Sequence, residues 1–313
     1  MNGSSIDPRI KLRHITCFLE VARAGSVGRA ATLLRISQPA VSKTLQELEQ
    51  LLGVALFDRS RRTLVLTDPG ETFLRYAGAS VSALRQGLQS VVSGPDTHAV
   101  TVPIGALPTA SVRLLPAAVA HFTQQALGMR PRVVTGPNAF LLSQLRVGAV
   151  DIVIGRMAEP ALMTGFSFEP LYSEDVAFVV RPGHPLLAAE PFDFAAIERF
   201  QVLMPPPDAA IRTTVDRFLV GHGIGLVRDQ IETVSDAFGL AYTAATDAIW
   251  IISEGVVAEA IDQGRLMRLP IDTAATVGPV GLTLRTDTEL PLPAKLFIRS
   301  VRAVVGEPGG TLG

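Results

Sequence analysis

Between Ser26 and Gly53 the chain has room for two helices and almost nothing between them. Val27, Ala30, Ala31 and Leu34 recur at helical spacing, as do Val41, Leu45, Leu48 and Leu52. Only Arg35 and Ile36 separate the first helix from Ser37, which has the residue type of an N-cap, and Pro39 follows in the first turn, where its missing N–H does no harm. A connector that short makes the two helices cross closely, and the small Ala30 and Ala31 admit a neighbour. That neighbour is an earlier helix whose Leu12, Ile15, Phe18, Leu19 and Ala22 share one face and which Gly25 ends. Three short helices with a tight turn before the third read as a helix-turn-helix.

The outward face of the third helix is Gln38, Pro39, Ser42, Lys43 and Gln46, short and polar with one cation and no carboxylate. Such a face suits the major groove, where side chains hydrogen-bond base edges and nothing repels phosphate. Glu47 and Glu49 come later, where the helix leaves the DNA. A solvated surface explains the composition of the face alone, but not its coincidence with the helix spacing and the turn. Next, Leu56 to Thr67 places apolar residues on either side of an Arg-rich tip, the pattern of a two-stranded wing whose Arg59, Arg61 and Arg62 reach phosphate or a minor groove. A solvated basic turn is the alternative for each arginine.

From Thr67 a long helix is expected, with Leu74, Ala77, Val81, Leu84, Leu88 and Val91 forming a heptad seam. The seam packs either on the protein's own body or on a second copy, and its place after a DNA-binding unit favours a dimer reading a partly palindromic operator. Ser93-Gly94-Pro95-Asp96 then breaks the helix. Charge divides at the same place: residues 1–93 carry a net of +5, leaving −6 for the rest of a 313-residue chain whose net is −1. Only the N-terminal part therefore suits a polyanion.

The residues SVGRAATLLRISQPAVSKTLQELE from Ser26 to Glu49, followed by LGVALFDRSRRTLVLTDPG, resemble the LysR-type transcriptional regulators, and the resemblance runs over essentially the whole chain. It implies DNA contacts at Ser37, Gln38, Pro39, Ser42 and Lys43 in the recognition helix and at Arg59 and Arg62 in the wing. It also implies a homodimer through the linker helix, commonly a dimer of dimers, contact with RNA polymerase, and a C-terminal domain resembling periplasmic solute-binding proteins. Within the family, RIKLRHITCFLEVAR, VPIGALPTASVRLLP and VTGPNAFLLSQLRVGAVDIVIGRM resemble regulators of protocatechuate (pca) catabolism genes. That implies an activator answering to an intermediate of aromatic acid breakdown. Regulators of sugar or other small-molecule uptake share parts of these stretches.

After Thr97 the pattern alternates strand and helix, which indicates parallel α/β topology. Strands are expected at 100–106, 132–135 and 151–155, a loop at 107–111 leading into one helix to about Gln125, and a second lobe over 172–269. The expected parts are residues 1–68 for DNA, 69–95 for the linker, and 96–313 for an effector domain with lobe I at 96–171 and 270–305. Ligands of open α/β sheets bind beyond the carboxyl ends of strands. Thr109 and Ser111 after the first strand, and Thr135 and Asn138 after the second, stand at helix starts that favour an anion. Helix capping explains any one of them as well as ligand contact does. Arg156 after the third strand can grip a carboxylate or stand on the surface. From the second lobe, Met204 opens a Pro-rich loop and Ser235 begins a helix facing the same way. The strand at 246–252 lacks the family's glycines, and its Trp250 reads as core.

No catalytic set emerges. His14, His98, His121, His184 and His222 are scattered without metal-ligand spacing, and no nucleophile elbow, P-loop or dinucleotide fingerprint is present. The single cysteine, Cys17, excludes an internal disulfide. The start Met1–Leu12 has no apolar signal core, and no run of 18 apolar residues occurs. A cytoplasmic, non-enzymatic protein without cofactor is therefore expected, off the membrane. The other classes are a transport solute-binding protein, which the basic N-terminal domain disfavours, and an architectural DNA binder, which the two-lobed body disfavours.

Overall fold

The computed structural model describes residues 7–58, 64–92, 100–125 and 128–306. They form two compact units. The first contains α1 (Leu12–Ala24), α2 (Val27–Leu34), α3 (Gln38–Leu52), the antiparallel pair β1 (Phe57–Asp58) and β2 (Val65–Leu66), and α4 (Asp68–Val92). Its core collects most of the expected faces: Phe18, Leu19, Ala30, Val41, Leu45 and Leu48 are buried, whereas Leu12 is exposed at the helix start and Val21 joins the core instead. Phe18 meets Phe57 and Phe73 at centroid distances of 5.4 and 5.1 Å, which fastens the base of the wing to the first helix.

The seam of α4 divides. Leu74 and Ala77 are buried in this same core, and Val81 is half-buried against it. Leu84 and Leu88 stand exposed. The side chain of Val91 lies outside the described residues. The expectation that Leu74 and Ala77 belong to a dimer seam is thus corrected: the helix uses its second and third turns to close its own domain, which leaves the later positions exposed.

The second unit contains β3 (Val100–Ala106), α5 (Pro108–Arg113), α6 (Leu115–Gln125), β4 (Met129–Thr135), α7 (Asn138–Arg146), β5 (Ile152–Arg156), β6 (Phe166–Glu174), β7 (Val176–Val180), β8 (Val202–Met204), α8 (Arg212–Gly221), β9 (Gln230–Glu232), α9 (Asp236–Ala245), β10 (Ile249–Ser253), α10 (Glu254–Asp262), β11 (Met267–Arg268), β12 (Gly278–Arg285) and α11 (Leu292–Gly306). The strands form two five-stranded sheets, in the orders β4-β3-β5-β12-β6 and β11-β7-β10-β8-β9. In the first, β3 and β5 are parallel, with Ile104 beside Ile152, and β12 runs antiparallel to both β5 and β6. In the second, β8 is parallel to β9 and β10, while β7 runs antiparallel to both of its neighbours, β10 and β11.

Each sheet is therefore mixed, not all-parallel. The reason is the route of the chain. It leaves the first sheet at Glu174 and enters the second at Val176, with Asp175 alone between, and it returns through residues 269–277 to β12. Strands that arrive directly from the other lobe do not need the helical crossover that makes neighbours parallel. β5, β7 and β10 are buried at every position, as strands covered on both faces must be.

Two local features also differ from expectation. The loop foreseen at 107–111 is already helix, since α5 begins at Pro108, and the helix breaks at Leu114. Pro116 accounts for the break, because it has no N–H to continue the ladder. Trp250 is core, as read from the sequence: it is 2% exposed, and a Cβ on Gly239 would lie 2.4 Å from its ring.

Candidate nucleic-acid interface and ligand cleft

The recognition surface is set by the residues around Ser37. Helix α2 ends with Arg35 in the left-handed region at φ 56°, the one described non-glycine residue with positive φ, and the amide of Ile36 donates to Ala31 O at 3.1 Å. This sharp reversal delivers Ser37, whose Oγ accepts from Ala40 N at 3.4 Å and caps α3. Gln38, Pro39, Lys43 and Gln46 are exposed along α3 and Ser42 is half-buried, so the expected outward face is one surface. The two carboxylates of α3 serve the domain instead. Glu49 Oε1 accepts the amides of Leu56 and Phe57 at 2.8 and 3.2 Å, holding the wing base. Glu47 lies 3.4 Å from His14 Nε2 and 3.8 Å from Arg13. Thr67 Oγ1 donates to Ala55 O at 2.7 Å and accepts from Gly70 N, tying the wing to α4. Arg59 and Arg62, with Arg61, lie outside the described residues.

In the second unit a cavity of about 50 Å³ lies between the lobes. Its lobe I wall is Leu107, Pro108, Thr109, the turn Gly136–Asn138 and Arg156. Lobe II contributes Pro205, Ile211, Thr233, Val234, Ile252 and Ser253 among others. Most of the surface facing the cavity is apolar, and its polar members, Thr109, Asn138 and Arg156 from lobe I with Thr233 and Ser253 from lobe II, border it largely buried.

Of the expected effector residues, Thr109, Asn138 and Arg156 meet at this cavity. The others do not border it. Ser111 turns back to Leu107 O at 2.9 Å, as a hydroxyl one turn into a helix often does. Thr135 is exposed on the last position of β4. Ser235 is exposed and caps α9 by accepting from Phe238 N at 3.3 Å. Met204 is 2% exposed in the core of lobe II, and it is the next residue, Pro205, that reaches the cavity. Pro205 belongs to the Pro-rich loop expected to line the cleft, whereas Thr233, Val234 and Ser253 carry no signal that the sequence reading used. Ser253 was findable, because it stands where β10 hands over to α10.

Behind the cavity lies a buried charged group. Thr109 donates its hydroxyl to Glu174 Oε1, and Glu174 Oε2 has no hydrogen-bond partner among the described residues. Arg156 donates from Nη1 to Thr276 O at 3.1 Å and from Nη2 to Glu174 O. Burial pulls its pKa down, and the nearby Glu174 and Asp175 oppose that. Beside them, Arg268 Nη1 donates to Glu254 Oε1 at 2.8 Å, and its Nη2 reaches Asp175 and Thr273. Burial pushes the Asp175 carboxyl up, but hydrogen bonds from its neighbours, Thr273 and Arg268 among them, outweigh it and hold the carboxyl below its usual range.

A winged helix-turn-helix joined to a two-lobed α/β cleft defines a DNA-binding regulator with a ligand domain. Residues 12–71 match the bacterial regulatory helix-turn-helix protein, lysR family, and residues 95–306 match the LysR substrate binding domain. The chain belongs to the LysR family: it is a transcriptional regulator and not an enzyme. It is 50% identical over 302 residues to the transcriptional regulator PcaQ of Agrobacterium fabrum, covering 96% of this chain and 97% of that one. It is 36% identical over 300 residues to the uncharacterized regulator YdcI of Escherichia coli, again covering 96% and 97%. Among solved structures, ArgP from Mycobacterium tuberculosis superposes with a TM-score of 0.63 over 96% of this chain and 98% of that one, at 17% identity, a likeness of fold. Among the described residues no helix is long and apolar enough to cross a membrane.

Proposed function

We propose that this regulator binds a partly palindromic operator and answers to a small carboxylated metabolite held between the lobes of residues 96–313. Residues 1–68 make the DNA contacts: Gln38, Pro39, Ser42 and Lys43 reach base edges, Ser37 sets the start of the helix, and Arg59 and Arg62 hold flanking backbone. Residues 69–95 pair two copies through the later seam positions, and pairs of dimers form the tetramer. The protein works in the cytoplasm with RNA polymerase as its partner.

The observation that carries the effector reading is Arg156 at the cavity, a guanidinium bordering a mostly apolar surface. A carboxylate on a short unsaturated or aromatic skeleton matches that combination. The 50% identity to PcaQ and the resemblance to regulators of protocatechuate catabolism support an aromatic-pathway acid and an activating role. A ligand that binds one arrangement of the lobes more tightly shifts the oligomer on DNA by that difference in affinity.

A thermal-shift panel tests this directly. Protocatechuate, β-carboxymuconate and β-ketoadipate are the acids, with glucose and galactose as controls. At least one acid is expected to raise the melting temperature and to change the operator footprint. A shift from the sugars alone, or from none of the acids, overturns the effector assignment.

A further inference from the structure

The two segments that join the lobes are each held by two arginines, one from either lobe. The first crossover is Glu174-Asp175 and the second runs through Thr273 and Thr276. Arg156, at the end of β5 in lobe I, donates to Glu174 O in the first and to Thr276 O in the second. Arg268, on β11 in lobe II, donates to the Asp175 carboxylate in the first and to Thr273 Oγ1 in the second. The crossovers are also tied to each other: Val176 N donates to Thr276 Oγ1 at 2.9 Å, and Thr273 Oγ1 donates to Asp175. Helix α10 joins the same knot, because Glu254 N donates to Asp175 O at 3.1 Å immediately after the cavity residue Ser253.

Arg156 differs from Arg268 in three respects. It is 7% exposed, it borders the cavity, and its Nε has no hydrogen-bond partner among the described residues. A buried donor left unpaired is costly, and an anion supplies the strongest available acceptor. We infer that Arg156 and Arg268 form a clamp on the interlobe hinge, and that Arg156 is its ligand-sensing half: Nε takes one oxygen of a carboxylate in the cavity while both Nη atoms hold the crossovers. Occupancy of the cleft is thereby written into the hinge through one side chain. The anion half of this inference rests on the effector reading above, whereas the clamp half is open to measurement in the ligand-free protein.

Hydrogen exchange of the full-length protein over residues 172–178 and 270–278 tests both halves. The variants are Arg156→Lys and Arg268→Lys, which keep the charge and lose the fork, and Arg302→Lys, which loosens the exposed pair with Glu169. Formate, the smallest carboxylate, is the probe. Each clamp variant is expected to speed exchange of both crossovers by about tenfold, the effect of losing one charge-assisted hydrogen bond, and Arg302→Lys is expected to leave them unchanged. Formate is expected to slow their exchange in the wild type and in Arg268→Lys but not in Arg156→Lys. Unchanged crossover exchange in ligand-free Arg156→Lys and Arg268→Lys removes the clamp. Equal protection by formate in Arg156→Lys and wild type, or none in the wild type, removes the sensing role. If Arg156→Lys loosens the whole domain, Arg268→Lys and the wild-type formate response still decide. An inert acid panel with an intact clamp response would count against the effector reading alone.

Discussion

Thr109 donates a hydrogen bond from its hydroxyl to Glu174, 65 residues later in the chain, so the hydroxyl at the mouth of α5 is already committed before any ligand arrives. Glu174 depends on that bond, since its second oxygen is buried without a hydrogen-bond partner among the described residues. Thr109→Val keeps the shape and strands the carboxylate, which costs about 1–3 kcal/mol. Urea unfolding should show that loss in Thr109→Val, very little in Thr109→Ser, and partial recovery in Thr109→Val combined with Glu174→Leu. A midpoint for Thr109→Val equal to wild type would show that Glu174 does not need the hydroxyl. Ligand binding at this position is therefore best compared in Thr109→Ser, which folds on the same bonds.

The two halves of the α4 seam should fail in different ways. Leu74 is 3% exposed inside its own domain, so Leu74→Ala removes core and should lower domain stability by about 2–5 kcal/mol. Leu84 and Leu88 are 45% and 57% exposed. Leu84→Glu with Leu88→Glu should leave the melting of the N-terminal domain unchanged and shift sedimentation at micromolar concentration toward the monomer. If the double variant sediments as wild type, the later half of the seam does not hold two copies together.

The sequence was most legible where the determinants are local. The cap at Ser37, the proline after it and the outward face of α3 depend on residues within a few positions of one another, and all appear where spacing put them. The seam shows the limit: a heptad says that a helix has an apolar stripe, not whether the stripe meets its own domain or a second chain, and Leu74 and Leu84 answer differently. In the cleft, the rule that ligands lie beyond strand ends led to Thr109, Asn138 and Arg156. It could not separate Met204 from Pro205, because a shift of one residue at a strand end exchanges core for cavity. Glu174, Asp175 and Arg268 were missed because their neighbours come from across the lobes, and no local spacing records a partner about a hundred residues away.

Arg35 occupies a backbone position that glycine takes more easily, at a cost of roughly 1 kcal/mol for any other residue. Strain of that kind persists where a side chain is wanted, and Arg35 is exposed immediately before the recognition helix. Arg35→Gly relieves the strain while loosening the unfolded chain, so stability should stay within about 1 kcal/mol of wild type. Operator affinity should fall, and the dependence of log affinity on log salt should flatten by about one phosphate contact. Unchanged affinity and slope would leave Arg35 with a structural role only.

His184 makes lobe II sensitive to acid, and the sign follows from its bonds. Leu186 N donates to Nδ1 at 3.2 Å, so Nδ1 carries no proton, and Nε2 donates to Asp247 O at 3.1 Å. The ring is buried against Phe200 at a centroid distance of 4.6 Å, and burial lowers its pKa from the ordinary value near 6.5. As pH falls through that ordinary value the unfolded chain takes up a proton that the folded ring refuses. Stability contributed by neutral His184 is therefore full above about pH 6.5 and is lost as the pH drops toward the folded pKa. His184→Asn keeps an acceptor for the Leu186 amide but no longer titrates. Melting of the wild type should fall between about pH 7.5 and pH 5.5 by more than melting of His184→Asn does, and the variant should be the less stable of the two at the higher pH because Asp247 O loses its donor. An identical pH dependence in both proteins would place the acid sensitivity elsewhere.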